Sequence, residues 1–92
     1  MMAQVAENLD LLAEALDRRD AAALSASLEN LERIGGRFPF DYISSLAWAT
    51  RAICATPLAA GRPLNEIEAH SVASALGRMD RARRAALTAA AA

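Results

Sequence analysis

Large apolar residues recur along the first third of the chain at spacings of three and four, with acidic residues between them. This periodicity places the apolar side chains on one side of a helix and the acids on the other. The two stripes are Val5, Leu9, Leu12 and Leu16, and then Leu24, Leu28, Leu31 and Ile34. The spacing therefore predicts two amphipathic helices, at about 3–18 and 21–34.

Between the two stripes the hydrophobic phase slips, because Leu16 and Leu24 are eight residues apart. Asp20 lies at the slip and is a suitable N-cap for a new helix that begins at Ala21. We therefore expect an antiparallel helical hairpin. The alternative is one long helix with a stutter in its hydrophobic repeat.

A third helix is expected after the double glycine Gly35-Gly36, which provides a helix stop. Asp41 suits the first turn of this helix, because a carboxylate there interacts favourably with the helix dipole. The helix is predicted over 41–55. Two prolines and a glycine then predict a loop over 56–63.

The boundary of the fourth helix is marked by a capping box, in which Asn65 caps the helix and Glu68 reaches back to it. We predict this helix at 66–87, with a frayed alanine-rich C-terminus after it. Gly77 is expected to mark a close approach to another helix, since small side chains let helix axes come together. No segment alternates like a strand, so the predicted fold is all-α, a small four-helix bundle forming one helical domain over 1–92.

The composition limits how large a core this bundle can have. Of 92 residues, 24 are alanine and only 26 are larger apolar residues. A core of this size rarely contributes more than about 3–5 kcal/mol. We therefore expect a homodimer, in which a self-paired apolar surface supplements the core.

The residue composition indicates the cellular compartment of the protein and the kind of genome that encodes it. The ten basic residues are all arginine, and with the many alanines this bacterial-like composition is typical of a GC-rich genome. The single cysteine, Cys54, cannot form an internal disulfide, which favours a reducing compartment. The N-terminus lacks a signal-peptide pattern, and no stretch approaches the ~18 apolar residues of a membrane span. The chain is predicted to be cytoplasmic.

The net charge of −1 disfavours a generally basic nucleic-acid binder. Four arginines nevertheless cluster near the end of the fourth helix, and they form a candidate patch for an anion or an acidic partner: Arg78, Arg81, Arg83 and Arg84. A small nucleic-acid-associated protein is therefore an alternative function. The structural alternative is a solvated helix face that interacts with the negative end of the helix dipole.

Candidate catalytic groups are sparse. Glu66 and His70 are four residues apart and share one side of a helix, but a hydrolytic metal site needs three protein ligands and the chain has no second histidine. Cys54 falls at an apolar helical position, which is typical of a buried thiol. We therefore predict that the protein is not an enzyme and that it has no catalytic residues, no metal, no cofactor and no small-molecule substrate.

All four aromatic residues fall within eleven positions and have arginines beside them. Aromatic residues and arginine dominate protein contact surfaces, although such rings can also anchor the bundle itself. The predicted partner-binding residues are Arg37, Phe38, Phe40, Tyr42, Trp48 and Arg51. The predicted function is a non-enzymatic interaction module, an adaptor, regulatory or chaperone-like subunit, which binds itself and another protein.

The runs RDAAAL at 19–24 and SLE at 27–29, followed by Gly35-Gly36, resemble the central hairpin of histidine phosphotransfer domains. Those domains are helical bundles of about this length. Their pattern needs a histidine, a lysine and a glycine where this chain has Ala26, Glu29 and Asn30. The resemblance therefore implies a degenerate phosphotransfer-like bundle in signalling, without phosphotransfer activity.

Overall fold

Four helices account for most of the residues that the computed structural model describes, which are 2–34 and 40–91. They are α1 (Met2–Asp17), α2 (Ala21–Ile34), α3 (Asp41–Ala60) and α4 (Glu66–Ala91). No strand occurs within those two ranges, so the predicted all-α fold with four helices is confirmed. The double glycine and the predicted contact residues Arg37 and Phe38 lie outside the described residues.

A tight turn separates α1 from α2. Arg19 adopts a left-handed backbone conformation with φ of 52°. The amides of Arg19 and Asp20 donate to the carbonyls of Leu16 and Ala15 at 2.9 and 3.0 Å, which closes α1. The Asp20 carboxylate then accepts a hydrogen bond from the Ala23 amide at 3.1 Å and caps α2. Two helices form, so the alternative of one continuous helix is wrong.

Helix α3 continues to Ala60, so the predicted loop over 56–63 begins too early. Pro57 lies inside the helix and is buried. It removes one intrahelical hydrogen bond, which costs less near a helix end than in the middle. The helix closes at Gly61, whose φ of 65° is left-handed, and the amides of Gly61 and Arg62 bond back to carbonyls of the last turn.

Helix α4 begins with the predicted capping box. The Asn65 amide donates to Glu68 Oε1 at 2.9 Å, and the Glu68 amide donates to Asn65 Oδ1 at 2.8 Å. The helix runs to Ala91 rather than ending at 87, because its final residues are alanines, the best helix formers. Neither this helix nor the others within the described ranges has the continuous apolar length needed to cross a bilayer.

The helices form a ring in which α1 and α3 each pack against both α2 and α4. Among the described residues, the diagonal pairs α1–α3 and α2–α4 do not pack against each other. The Leu64 amide donates to the Arg19 carbonyl at 3.1 Å, which places the start of α4 beside the end of α1. Neighbouring helices are thus antiparallel, as in an up-down-up-down bundle. All four helices contribute to the core, which includes Val5, Leu12, Leu24, Leu28, Leu31, Ile43, Val72 and Met79.

Gly77 does not mark a close helix contact, contrary to expectation. Of the described atoms within 4 Å, a methyl group added there would meet only Arg81 Nη1, at 3.7 Å. That distance is an ordinary van der Waals contact with a flexible side chain. The glycine at this position therefore has no steric reason in this fold.

Candidate functional site

The structure separates the aromatic residues that lie close together in the sequence. Phe40 directly precedes α3 and is only 5% exposed, because its ring packs into the core. Tyr42 and Trp48 lie on α3 and are 51% and 66% exposed. Of the described rings, one therefore anchors the bundle and two remain available at the surface.

The phase of α3 explains why Trp48 points outward. The buried residues of this helix, at spacings of four and three, are Ile43, Ala47, Thr50, Cys54 and Pro57. Because consecutive residues are turned by about 100°, Trp48 points about 160° away from Thr50. Tyr42 is about 120° around the helix from Trp48 by the same rule. The two exposed rings therefore belong to different sides of the helix.

Trp48 borders a shallow recess between α2 and α3, with a volume of about 360 Å³. We call the surface around it the α2–α3 face, which consists of Ser25, Glu29, Trp48, Arg51, Ala52, Ala55 and Leu58. Three of these side chains are small, so the space between the two helices stays open. Leu58 is also exposed and adds apolar area to this face.

The charged residues of the α2–α3 face, Glu29 and Arg51, are paired within the chain. Arg51 Nη2 donates to Glu32 Oε1 at 3.2 Å, and Arg51 Nε makes a 2.6 Å ionic contact with Glu32 Oε2 that is not an aligned hydrogen bond. Ser44 Oγ donates to the Glu32 carbonyl at 2.8 Å, which ties α3 to α2 at the same point. Arg33 and Glu29 form a second, exposed pair at 3.6 Å. The two charged residues of the α2–α3 face, Glu29 and Arg51, are thus opposite in sign and each is paired within the chain.

Similarity to known proteins adds no functional residue to this face. No protein-family model, curated protein or solved structure matches the chain. A functional assignment therefore depends on the exposure, shape and charge of the side chains themselves.

The four clustered arginines of α4 are not equivalent. Asp80 binds both Arg83 and Arg84, each at 3.0 Å. Arg78 and Arg81 are exposed, and neither forms a salt bridge within the described part of the chain. Two guanidinium groups rather than four are therefore available to an anion.

His70 and Glu66 are exposed and line a depression between α1 and α4, together with Asp17. Within residues 2–34 and 40–91, no group of three or more His, Cys, Asp or Glu is placed to hold a metal ion. Cys54 is buried, and burial raises the pKa of its thiol, with the nearby Glu68 carboxylate adding to the effect. A thiol in this environment is a poor nucleophile, because the thiolate is disfavoured.

Five residues of the α2–α3 face were not predicted as contact residues. The expected loop after 55 placed Leu58 outside any helix, and the alanines carry no chemical signal of their own. The available signal was the spacing of 48, 52 and 55, which continues one outward line of α3 if the helix is extended through Pro57. The two α2 residues, Ser25 and Glu29, join the face only through tertiary packing.

Proposed function

We propose that this chain is a non-enzymatic interaction module, an adaptor, regulatory or chaperone-like subunit, which binds protein through its α2–α3 face. The observation that carries the proposal is the exposure of Trp48, at 66%, beside an open recess lined by small side chains. Tryptophan is among the residue types enriched at the side chains that dominate binding energy, which lie where the partner excludes water from the contact.

The magnitude of the exposed area supports this role. A tryptophan side chain buries about 150–250 Å² when fully enclosed. With 66% exposed, roughly 100–165 Å² of Trp48 remains in water. Removing that area from water contributes about 2.5–4 kcal/mol at ~25 cal/mol per Å². This is the range in which a single residue acts as a binding hot spot.

The surroundings of Trp48 reduce the cost of binding. Arg51 is already held by Glu32, so this long side chain loses less rotamer entropy when a partner contacts it. Leu58 adds apolar area at the far end of the recess. The face therefore combines a large ring, a fixed guanidinium and an apolar rim.

The proposal is tested by capture of partners with the immobilised full chain, comparing wild type with Trp48→Ala. The control is Ile67→Ala, because Ile67 is 79% exposed and lies outside the α2–α3 face. We expect a protein that binds wild type and the Ile67 variant but not the Trp48 variant. Capture that is equal for all three chains contradicts the proposal.

A second candidate is binding to nucleic acid, which is favoured by the two available guanidinium groups of Arg78 and Arg81. Two phosphate contacts give a salt slope of about −2, so affinity for duplex DNA falls roughly tenfold between about 50 and 200 mM salt. Fluorescence anisotropy of a labelled duplex measures this directly. If wild type does not bind at low salt, or if replacing both arginines with alanine leaves binding unchanged, this candidate is wrong.

A further inference from the structure

The α2–α3 face carries a projecting ring and a recess on the same surface. The ring is Trp48, and the lining of the recess extends along α3 to Ala55 and Leu58. These residues follow Trp48 by seven and ten positions, which corresponds to about 10 and 15 Å along the helix. A two-fold axis perpendicular to α3 near Ala52 exchanges the two features. Each ring would then face the recess of the other copy.

The charge distribution favours self-contact at this face. In a two-fold dimer the same surface of each copy contacts its counterpart on the other copy. A surface whose charges all have one sign is therefore repelled by its counterpart. The α2–α3 face itself has one acid and one base, Glu29 and Arg51, so it does not carry a single sign of charge. Each is also paired within the chain, Arg51 with Glu32 and Glu29 with Arg33. The charged residues of helix α1, by contrast, are all exposed acids, which are Glu7, Asp10, Glu14 and Asp17.

The exposed basic residues of α4 disfavour this helix as the surface of self-contact. Arg78 and Arg81 lie one turn apart and have no acidic partner among the described residues. Contact between two copies through this part of α4 would bring like charges together. On the α2–α3 face, whose two charged residues are opposite in sign, a second copy fits without that penalty.

The area of the α2–α3 face limits the affinity that we expect for the dimer. Helix α3 has 20 residues and is therefore about 30 Å long, and two adjacent helices are about 20 Å wide. The face thus offers at most about 600 Å² per protomer, or roughly 1,200 Å² in total, at the small end of specific interfaces. A reversible, concentration-dependent dimer is expected rather than a permanent one.

We infer that the occupant of the α2–α3 face is a second copy of this chain, bound with the two α3 helices antiparallel, so that each Trp48 fills the recess of its partner. The inference rests on the proposed function, because it assigns a partner to the same face. Such an isologous interface uses the ring and the recess twice, whereas a different protein would use each once.

Sedimentation of the full chain from about 1 μM to about 1 mM brackets the affinity of weak interfaces and measures self-association. Trp48 is the only tryptophan, so its emission independently reports burial of the ring. We expect wild type to dimerise with a blue shift as concentration rises. Trp48→Ala removes both rings and weakens dimerisation by roughly 100-fold or more. Ala55→Glu blocks both recesses and also gives a monomer, while Ile67→Ala behaves as wild type.

The decisive measurement is a mixture of the two monomeric variants. The Trp48→Ala chain has an intact recess, and the Ala55→Glu chain has an intact ring, so one productive contact is restored in the mixed dimer. The Trp48→Ala chain has no tryptophan, so all emission comes from the other variant. We expect titration with Trp48→Ala to shift that emission to the blue and to raise the mean mass. Circular dichroism of each variant confirms that it is folded.

The inference is overturned if wild type stays monomeric, if Trp48→Ala dimerises as well as wild type, or if the mixture shows neither change. These outcomes are separate from the test of the proposed function. A monomer that captures another protein through Trp48 keeps the proposed function and refutes the second copy. Trp48-dependent self-association with Trp48-independent capture supports the second copy and refutes this face as the site for another protein.

Discussion

The same substitution, glycine to alanine, should have opposite effects at Gly77 and Gly61. Gly77 lies inside α4, where its φ is not positive and a Cβ would meet only Arg81 Nη1 at 3.7 Å. Alanine there gains helix propensity and restricts the unfolded chain, so Gly77→Ala should stabilise the fold by about 1 kcal/mol. Gly61 closes α3 at φ +65°, with nothing within 4 Å of an added Cβ. The space is open, but the backbone conformation is not suited to alanine.

For Gly61→Ala, the left-handed conformation costs an L-residue about 1–2 kcal/mol, of which restriction of the unfolded chain returns about 0.4–1 kcal/mol. We therefore expect a net loss of about 1 kcal/mol. Urea unfolding followed by far-UV circular dichroism should move the midpoint up for Gly77→Ala and down for Gly61→Ala at unchanged slope. A change of 1 kcal/mol corresponds to about 4–8 °C in Tm for a domain of this size.

Protein concentration must be equal and low in both experiments, because self-association adds apparent stability. If Gly77→Ala lowers the midpoint, a neighbour must pack against α4 more closely than the structure shows. If Gly61→Ala raises it, the closure of α3 described above is not the conformation in solution. Either result refutes the reasoning from backbone angle and local space.

Three further predictions concern single side chains. Phe40→Ala should cost about 3–5 kcal/mol of stability because the ring is buried, whereas Trp48→Ala should cost about 1 kcal/mol or less; equal shifts in urea midpoints would contradict this contrast. Hydrogen bonds from Arg62 and from the Asn65 amide lower the pKa of Glu68, so its contribution is present above its unfolded pKa and is lost as the pH falls through the folded pKa. Stability of wild type should therefore decline on acidification below about pH 5 more steeply than that of Glu68→Gln, and parallel pH profiles would exclude this linkage. Cys54 should react with an alkylating reagent only as the chain unfolds, so rapid labelling under native conditions would show that the thiol is not enclosed.

The helices that the sequence predicted well are those whose ends carry local chemistry. Helix α2 has the predicted bounds because Asp20 caps its start, and α4 begins where Asn65 and Glu68 bond to each other. The end of α3 was placed too early because Pro57 and Gly61 are both strong local signals for a loop. Packing decided otherwise, since Pro57 is buried and the helix needs only one more turn before Gly61 closes it.

Less of the candidate site than of the fold could be predicted from the sequence. Trp48 and Phe40 were both predicted as contact residues, but their separation depends on where α3 begins and on which side of it faces the core. Ala52 and Ala55 became part of a recess only because α2 packs beside α3 at that level. An alanine on an exposed side of a helix carries no signal until the neighbouring helix is known.

The ring of helices closes through one pair that is not consecutive in sequence, α1 and α4, within the described residues. The other three contacts join neighbours along the chain, so they carry small loop-closure costs and should form early in folding. We therefore expect the contact between α1 and α4 to form last. Because this contact lies across the ring from the contact of α2 with α3, a transient separation of α1 from α4 would leave the α2–α3 face unchanged.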